Sequence, residues 1–365
     1  MSVFFYSLVL FLFGISFDKP VDEKFMSIDQ PEPFLHYSAH HNTLFFAKEK
    51  EKTSFLKAYD ISDDITKDIG VLREDTEQNF HDYHISIGLD KALVKKESTS
   101  RPKNNKLVFL PLSNRKETPD TVKSDFADRG LYHMVNDSTL YVKRRRGGVF
   151  DDHMGAVVGW DQDALKSTDE KYPLFSYEDD PLWEEVVSAQ MYKMKAVSDD
   201  NGITCSIFKY SSWLLCSDAD GTELFATHEP EQSHFPELDY RVQNDTRLYT
   251  FPDPYDNTVQ NFDIAMDERH VYILTFGENI SRRTVMRLAI SRLSGGEPHL
   301  SLHDYATTSQ KVFIYRKSDG KFLKEVELPN ESRALTVSED HLIVTETDEK
   351  QGIRWIPKSD VLKIQ

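Results

Sequence analysis

The sequence predicts an all-β fold made of repeated hairpins, and three observations support this prediction. One pattern of mostly apolar side chains, at positions 0, +2, +7 and +9 with a polar stretch between the two pairs, occurs six times. Because residues two apart lie on the same face of a strand, each copy indicates two short strands joined by a turn. Aromatic residues make up 12% of the chain, and Phe and Tyr favour strands with one packed face.

The six copies are spread over almost the whole chain, which indicates a repeat architecture. In chain order they are Tyr37, Ala39, Leu44, Phe46; Ile85, Ile87, Ala92, Val94; His133, Val135, Leu140, Val142; Ala196, Ser198, Ile203, Cys205; Ile264, Met266, Val271, Ile273; and Leu335, Val337, Leu342, Val344. Their first residues lie 48, 48, 63, 68 and 71 positions apart. A four-stranded propeller blade takes about 40–50 residues. We therefore predict that residues 34–365 form a six-bladed β-propeller, with seven blades as the alternative because residues 230–257 fit no blade cleanly.

Each blade is expected to add further strands to its hairpin. In chain order these strands are placed at 54–61, 106–112, 155–161, 223–226, 311–316, 321–328 and 352–357. Gly221 before the fourth of them and Gly320 before the sixth supply the positive φ that tight turns favour. Few helices are expected, and short helical turns are predicted at 162–167 and 182–192. Residues 277–308 are expected to be an insertion in the fifth blade.

Residues 1–16 are predicted to form a cleavable signal peptide. Residues 3–15 are apolar and uncharged but too few to span a bilayer as a helix. The tripeptide Gly-Ile-Ser at 14–16 resembles a small-x-small cleavage site, although no basic residue precedes the apolar run. A retained signal anchor is the alternative. The acidic segment 17–33 is expected to be a leader or a ring-closing strand.

The charge of the chain limits its partners. A formal net charge of −17 repels nucleic-acid phosphates, so no nucleic-acid partner is expected. No segment after the first residues is long and apolar enough to cross a membrane, so no stable membrane insertion is expected. With the signal peptide, these features favour a secreted or extracellular protein, or a periplasmic one if the source is bacterial.

Cysteines and glycosylation sequons agree with an oxidising, extracellular location. Cys205 and Cys216 bracket two short strands and a turn, and antiparallel pairing could bring their Cβ atoms within bridging range, so a disulfide is predicted. Two buried thiols acting as small apolar residues are the alternative. Four sequons lie in predicted turns or loops. Their acceptors are Asn136, Asn244, Asn279 and Asn330.

Three features resemble six-bladed propellers of the TolB-like and NHL-like class. They are the hairpin pattern, the Ser-Asp-Gly turn at 318–320 between the last two strands of a blade, and the final run 334–355. The resemblance covers residues 35–365 and lacks the repeated Gly-His and Trp-Asp signature of the seven-bladed WD class. It implies a ring of sheets around a central channel, with loops on two faces. It implies no particular function, because this fold has many.

Polar residues just before each hairpin are the best candidates for a ligand site, because the loop that leads into each inner strand reaches one mouth of the channel. They are Glu32, His81, Asp82, Arg129, Gln260, Asn261, Asp263 and Arg333. The propeller resemblance suggests a ring of carboxylates and amides of the kind that hydrolases and lactonases place around calcium. His81 and Asp82 could then act as a base and its orienting group. Solvated loop residues around a water-filled channel are the alternative.

Sequence motifs for catalysis are absent: there is no Gly-rich phosphate loop, Gly-x-Ser-x-Gly, His-Glu-x-x-His or Cys-x-x-Cys. The segment 218–221 resembles the start of a calcium loop but has its Gly at position 4 instead of 6. We therefore expect a secreted binding or scaffold module that uses its loop faces, binds an extracellular protein or a small molecule, and needs no cofactor. The alternative is a calcium-dependent hydrolase or lactonase at the channel mouth, so enzymatic activity stays open.

Overall fold

The structure is a computed structural model. It describes residues 24–28, 31–39, 42–50, 53–73, 80–88, 90–98, 106–112, 120–122, 130–136, 139–144, 153–161, 164–173, 194–199, 201–208, 212–218, 222–230, 239–243, 246–250, 261–275, 309–346 and 351–362. In these ranges the elements are, in order, β1 (Lys24–Ser27), β2 (Pro31–Ser38), β3 (Thr43–Lys50), β4 (Thr53–Asp60), β5 (Ile65–Arg73), β6 (Phe80–Ile87), β7 (Lys91–Ser98), β8 (Lys106–Pro111), β9 (Asp120–Val122), β10 (Gly130–Asn136), β11 (Thr139–Arg144), β12 (His153–Asp161), β13 (Ala164–Pro173), β14 (Met194–Ser198), β15 (Thr204–Phe208), β16 (Leu214–Ser217), β17 (Glu223–Thr227), β18 (Asp239–Gln243), β19 (Thr246–Thr250), β20 (Asn261–Met266), β21 (His270–Thr275), β22 (Ser309–Arg316), β23 (Phe322–Val337), β24 (His341–Glu346), β25 (Gly352–Pro357) and α1 (Lys358–Leu362).

Antiparallel meanders of four strands dominate the fold. They are the sheets β2–β5, β6–β9, β10–β13 and β14–β17. Each begins with one of the predicted hairpins. In β6 and β7 the repeated pattern pairs as predicted, with Ile85 opposite Val94 and Ile87 opposite Ala92. The hairpins β20–β21 and β23–β24 have the same register, so the sequence repeat is a repeat of hairpins.

Three copies of the pattern pair in a displaced register. In the first copy Tyr37 lies opposite Leu44 instead of Phe46. In the third and fourth copies the register is displaced by one residue, so that Val197 lies opposite Cys205. The length of the turn decides which residues of a hairpin lie opposite each other, and the spacing of apolar residues alone does not define this register.

A seven-stranded sheet contains the C-terminal part of the chain, in the order β1-β25-β24-β23-β22-β21-β20. Strand β23 is long, and its first half pairs with β22 while its second half pairs with β24. It therefore joins one four-stranded unit, β20–β23, to the next. The outer strand of the last unit is β1, which pairs with β25 so that Lys24 lies opposite Trp355.

Hydrophobic clusters fill the spaces between successive sheets. They contain, in turn, Phe45 with Ala92, Ile207 with Ile273, Leu274 with Leu335, and Leu44 with Trp355. The last of these clusters packs the C-terminal strands onto β2–β4. Strand β10 contacts both β6 and β14. The sheets therefore follow one another around a closed ring, which is a β-propeller.

Hydrogen bonds link the inner strands of neighbouring sheets around the axis. The backbone N–H of Tyr37 donates to Thr336 Oγ1 at 3.0 Å, and that of Met134 donates to Ser86 Oγ at 2.8 Å. In each case the acceptor lies on the preceding unit of the ring. An inner strand has one unpaired edge, so these side chains satisfy N–H groups that the sheet itself leaves without a partner.

Several local predictions were wrong. Residues 162–167 were expected to be a short helical turn, but β13 begins at Ala164, and its pairing with β12 overrides the local preference. The first unit has a fourth strand, β5, that was not predicted. Within 230–257, β18 and β19 form an isolated hairpin, while β14–β17 packs directly on β20–β22.

In the described ranges no helix has the length and apolar content that a bilayer crossing requires.

Candidate binding site at the upper mouth of the channel

The inner strands define two faces of the ring. We call the face at which β2, β6, β20 and the second half of β23 begin the upper face, and the face at which they turn into their second strands the lower face. The predicted site residues precede the hairpins in sequence, so those that lie in described strands are at the upper ends of these strands. Glu32 lies in β2, His81 and Asp82 lie in β6, and Arg129 lies outside the described residues, as does Gln260.

Three predicted site residues have described side chains. Asn261 and Asp263 lie on β20, and Arg333 lies on β23. Asn261 is 5% exposed. Of Glu32, His81 and Asp82 only the backbone is described.

Irregular pairing recurs at the upper ends of the inner strands. The register shifts in β2 between Pro31 and Leu35, in β6 between Phe80 and Asp82, in β20 between Asn261 and Asp263, and in β23 between Ser332 and Leu335. A β-bulge breaks the alternation of side chains and changes the direction in which one of them points. All the predicted site residues in these strands therefore lie at or beside a bulge.

The bulge in β20 shows this effect. Phe262 is buried in the cluster that also contains Leu335 of β23. Its neighbour Asp263 accepts a hydrogen bond from the backbone N–H of the same Leu335 at 2.9 Å. Two consecutive side chains of β20 thus reach the same neighbouring unit, at the point where the bulge interrupts the regular alternation.

Asp263 has partners for both of its carboxylate oxygens. Oδ2 accepts from the Leu335 backbone, and Oδ1 accepts from Lys195 Nζ at 2.9 Å. The Asp263 side chain is 13% exposed and that of Lys195 is 43% exposed. Asp263 therefore connects three inner strands, β14, β20 and β23. Lys195, which lies at the same mouth, was not among the predicted site residues. Within the described residues no three His, Cys, Asp or Glu side chains converge.

Arg333 is the third charged residue at this mouth, after Asp263 and Lys195. Its Nε atom is buried and has no hydrogen-bond partner among the described residues. A guanidinium stays protonated in proteins and has five N–H donors. The position in the bulge of β23 thus holds a half-buried positive charge.

The lower face carries a charged network that was not predicted. Asp267, in the turn after β20, accepts hydrogen bonds from the N–H groups of Arg269 at 2.8 Å and His270 at 2.7 Å. It also accepts from Lys358 Nζ at 2.6 Å and from the Tyr272 hydroxyl at 2.9 Å. Burial acts to raise the pKa of Asp267, but these donors, Lys358 first, hold that pKa below its usual value. Burial and the Asp267 charge raise the pKa of Tyr272.

Lys317 extends this network to the preceding unit. Its Nζ donates to Asp199 Oδ2 and to the backbone oxygen of Asp267 at 3.2 Å. Asp199 accepts from the N–H groups of Asn201 at 2.9 Å and Ile203 at 2.8 Å. Asp199 and Asp267 both stand three positions after the first residue of a pattern copy. An Asp at that position is the sequence signal for these turns, because its carboxylate can bond nearby backbone N–H groups.

The cysteines and one sequon fall on described strands. Cys205 and Cys216 lie directly opposite each other on β15 and β16 and are joined by a disulfide. Asn330 lies within β23, not in the loop that was predicted, because β23 runs without a break between two units. Asn136 is the last residue of β10, and Asn244 and Asn279 lie outside the described residues.

Known proteins resemble this chain only at low similarity. No family model matches the sequence, and no curated protein matches it. A DUF4221 family member from Bacteroides vulgatus is 10% identical with a TM-score of 0.48, covering 92% of this chain and 98% of that one. The β-propeller domain of Cps50 (Swd1) from Myceliophteria thermophila is 10% identical with a TM-score of 0.43, covering 92% and 99%. The β-propeller domain of the Trilobed protease from Pyrococcus furiosus is 11% identical with a TM-score of 0.41, covering 90% and 79%.

Proposed function

We propose that this chain is a secreted β-propeller that acts as a binding module, and that it uses the upper mouth of its channel. The observation that supports this most is the recurrence of bulges at the upper ends of four inner strands. Bulges are common beside functional sites because they change the direction of a side chain and can point it into the site. At this mouth they coincide with the polar residues that precede the hairpins.

The proposed ring has six blades of the TolB-like and NHL-like class. The direct packing of β14–β17 on β20–β22, through Ile207 and Ile273, supports this number, because it leaves no space in the ring for a further blade. The hairpin β18–β19 is then an insertion outside the ring. The proposed ligand is an extracellular protein or a small molecule.

Secretion is part of this proposal. The disulfide between Cys205 and Cys216 supports it, because disulfides persist in oxidising compartments. We propose that residues 1–16 are removed and that Asn136, Asn244, Asn279 and Asn330 are candidate glycan acceptors. Expression of the full chain in secreting eukaryotic cells tests this: recovery from the medium with Phe17 as the first residue would support secretion, and a cell-retained chain would contradict it.

A steric block tests the binding function. Lys195→Trp places a large side chain at the upper mouth, and Glu268→Trp places the same side chain in an exposed turn of the lower face. The measurement is thermal stabilisation of the wild type and both variants by a panel of small molecules and secreted peptides. We expect stabilising ligands to lose their effect on Lys195→Trp alone. Ligands that stabilise this variant as well as the wild type would contradict a site at this mouth.

Elemental analysis separates this proposal from the hydrolase alternative. We propose a mode of binding that needs no metal ion. One calcium per purified chain, whose removal abolishes an esterase activity, would replace the binding module with a calcium-dependent hydrolase. Substitution of His81, Asp82, Asn261 and Arg333 together should abolish such an activity.

A further inference from the structure

Two carboxylates lie near the bulge of β23 that contains Arg333, and both bind other groups. The bulge of β23 lies between Ser332, which is opposite Glu346, and Leu335, whose N–H binds Asp263. Glu346 is 1% exposed, and its two oxygens accept from Nε and Nη2 of Arg354, the second at 2.9 Å. Asp263 is bound by Lys195 and by the Leu335 backbone. Neither carboxylate forms an ion pair with Arg333.

The guanidinium of Arg333 therefore has no ion-pair partner among the described residues. Its Nε–H is buried without an acceptor among the described residues. A buried donor without an acceptor destabilises a fold, and more so when the group is charged. Buried charges in native proteins are normally paired. Arg333 is half-buried and has no such partner among the described residues, so the upper mouth has room for an anionic group from a ligand.

We propose that Arg333 binds a single carboxylate group of the ligand at the upper mouth. This inference rests on the proposed function and names the chemistry of the ligand. A guanidinium accepts a carboxylate through two parallel N–H···O bonds, which specify orientation as well as charge. The outer nitrogens of Arg333 meet the ligand first, and rotation of the side chain brings Nε–H to the second oxygen.

The charge of the whole chain favours a carboxylate with one negative charge over a polyanion. At −17 the protein repels a multiply charged partner from a distance, whereas one local guanidinium can neutralise one charge. Lys195 adds little, because Asp263 neutralises it at 2.9 Å. The site is therefore matched to a monocarboxylate, and inorganic phosphate is expected to bind more weakly than acetate.

The test observes the Arg333 Nε–H directly. Protein labelled with ¹⁵N-arginine is titrated with sodium acetate at constant ionic strength, with sodium chloride and sodium phosphate as separate arms. The Arg333 signal is the one that disappears in Arg333→Lys. We expect a saturable shift of this signal with acetate only. An unmoved signal, or equal shifts with all three salts, would overturn the proposal.

Variants provide a second readout that does not depend on assignment. We expect Arg333→Gln to weaken acetate binding at least about ten-fold, and Arg333→Lys to weaken it less, because the ammonium retains charge but not the two parallel bonds. Arg316→Gln is the matched control, since Arg316 is exposed and bonds Asp319 at 3.0 Å. Equal acetate binding by Arg333→Gln and the wild type would sink the inference.

The two proposals fail in different ways. If acetate does not act at Arg333 but Lys195→Trp still blocks other ligands, the carboxylate inference falls and the binding module stands. If acetate acts at Arg333 but Lys195→Trp blocks none of the stabilising ligands of the panel, the proposed binding function falls.

Discussion

Asp267 is the residue through which the lower-face network can be tested, because both of its carboxylate oxygens have donors. Asp267→Asn removes the charge opposite Lys358 at nearly constant shape, and we expect it to lower the unfolding free energy by about 2 kcal/mol. Since the folded pKa lies below the unfolded one, this stabilisation is complete above about pH 4 and falls as the pH drops further. Urea unfolding at neutral and at acidic pH measures both effects.

Glu268→Gln is the control for this substitution, because Glu268 is the exposed neighbour of Asp267 in the same turn. It should leave the unfolding free energy unchanged. If both variants unfold like the wild type, the network does not stabilise the fold.

His36 on β2 predicts a second pH dependence. It lies opposite Phe45 in the hairpin, and burial lowers its pKa to about 4. The unfolded chain therefore takes up a proton at His36 before the folded chain does, so this residue destabilises the fold as the pH falls from about 6.5 to about 4, by at most about 3 kcal/mol. His36→Gln should flatten the stability curve in this window.

The measurement for His36 is the difference in unfolding free energy between wild type and variant at several pH values. Groups that titrate in both proteins cancel in this difference. A difference that stays constant between neutral pH and about pH 4 would show that the imidazole titrates equally in both states.

At the scale of elements, the contact between β1 and β25 depends on a glycine. A Cβ on Gly352 would lie 2.4 Å from the backbone oxygen of Met26, which cannot move without displacing β1. We expect Gly352→Ala to cost about 2–3 kcal/mol by overpacking the closing pair of strands. Thermal unfolding of the purified variant measures the loss.

Gly70→Ala on β5 is the matched control for this element. There the added Cβ would meet the end of the Leu110 side chain at 2.9 Å, and a side chain can rotate where a backbone cannot. We expect a change below about 1 kcal/mol. Equal losses in the two variants would mean that strand closure is not the cause.

The strands also show which features a local sequence pattern can predict. Hairpins such as Ile85–Val94 could be predicted because alternation is a local property of a strand. The bulges beside Asp82 and Arg333 could not, because a bulge results from the match between two strands and leaves no mark in the spacing of apolar residues.

At the scale of the whole molecule, β1 is the strand on which closure of the ring depends. Deleting residues 17–28 removes the partner of β25 and the cover of Trp355. An unpaired edge is an aggregation hazard, and we expect a Tm lower by about 10 °C together with self-association. Calorimetry and size-exclusion chromatography measure the two effects.

A shorter deletion separates the role of β1 from that of the residues before it. Removing residues 17–23 keeps the whole of β1 and should leave both Tm and monomer content unchanged. Should the longer deletion behave like the shorter one, β1 would not be needed to close the ring.

The candidate site could be predicted in part. That Asn261, Asp263 and Arg333 share one end of the inner strands follows from their place before the hairpins. The partners of these side chains could not be predicted. Asp263 bonds Lys195 and Leu335, which lie 68 and 72 residues away in the sequence. The lack of a described partner for Arg333 Nε depends on how the strands pack.

The sequence by itself determined where the six hairpins of the repeated pattern lie, because strand periodicity acts between residues two apart. The tertiary structure alone decided that β23 serves two units, that β1 closes the last one, and which charges at the upper mouth are paired. The physical reason is that these interactions join segments that are far apart in the sequence. Edge pairing, burial and ion pairing depend on which surfaces meet in space, and that is determined when the sheets pack around the axis.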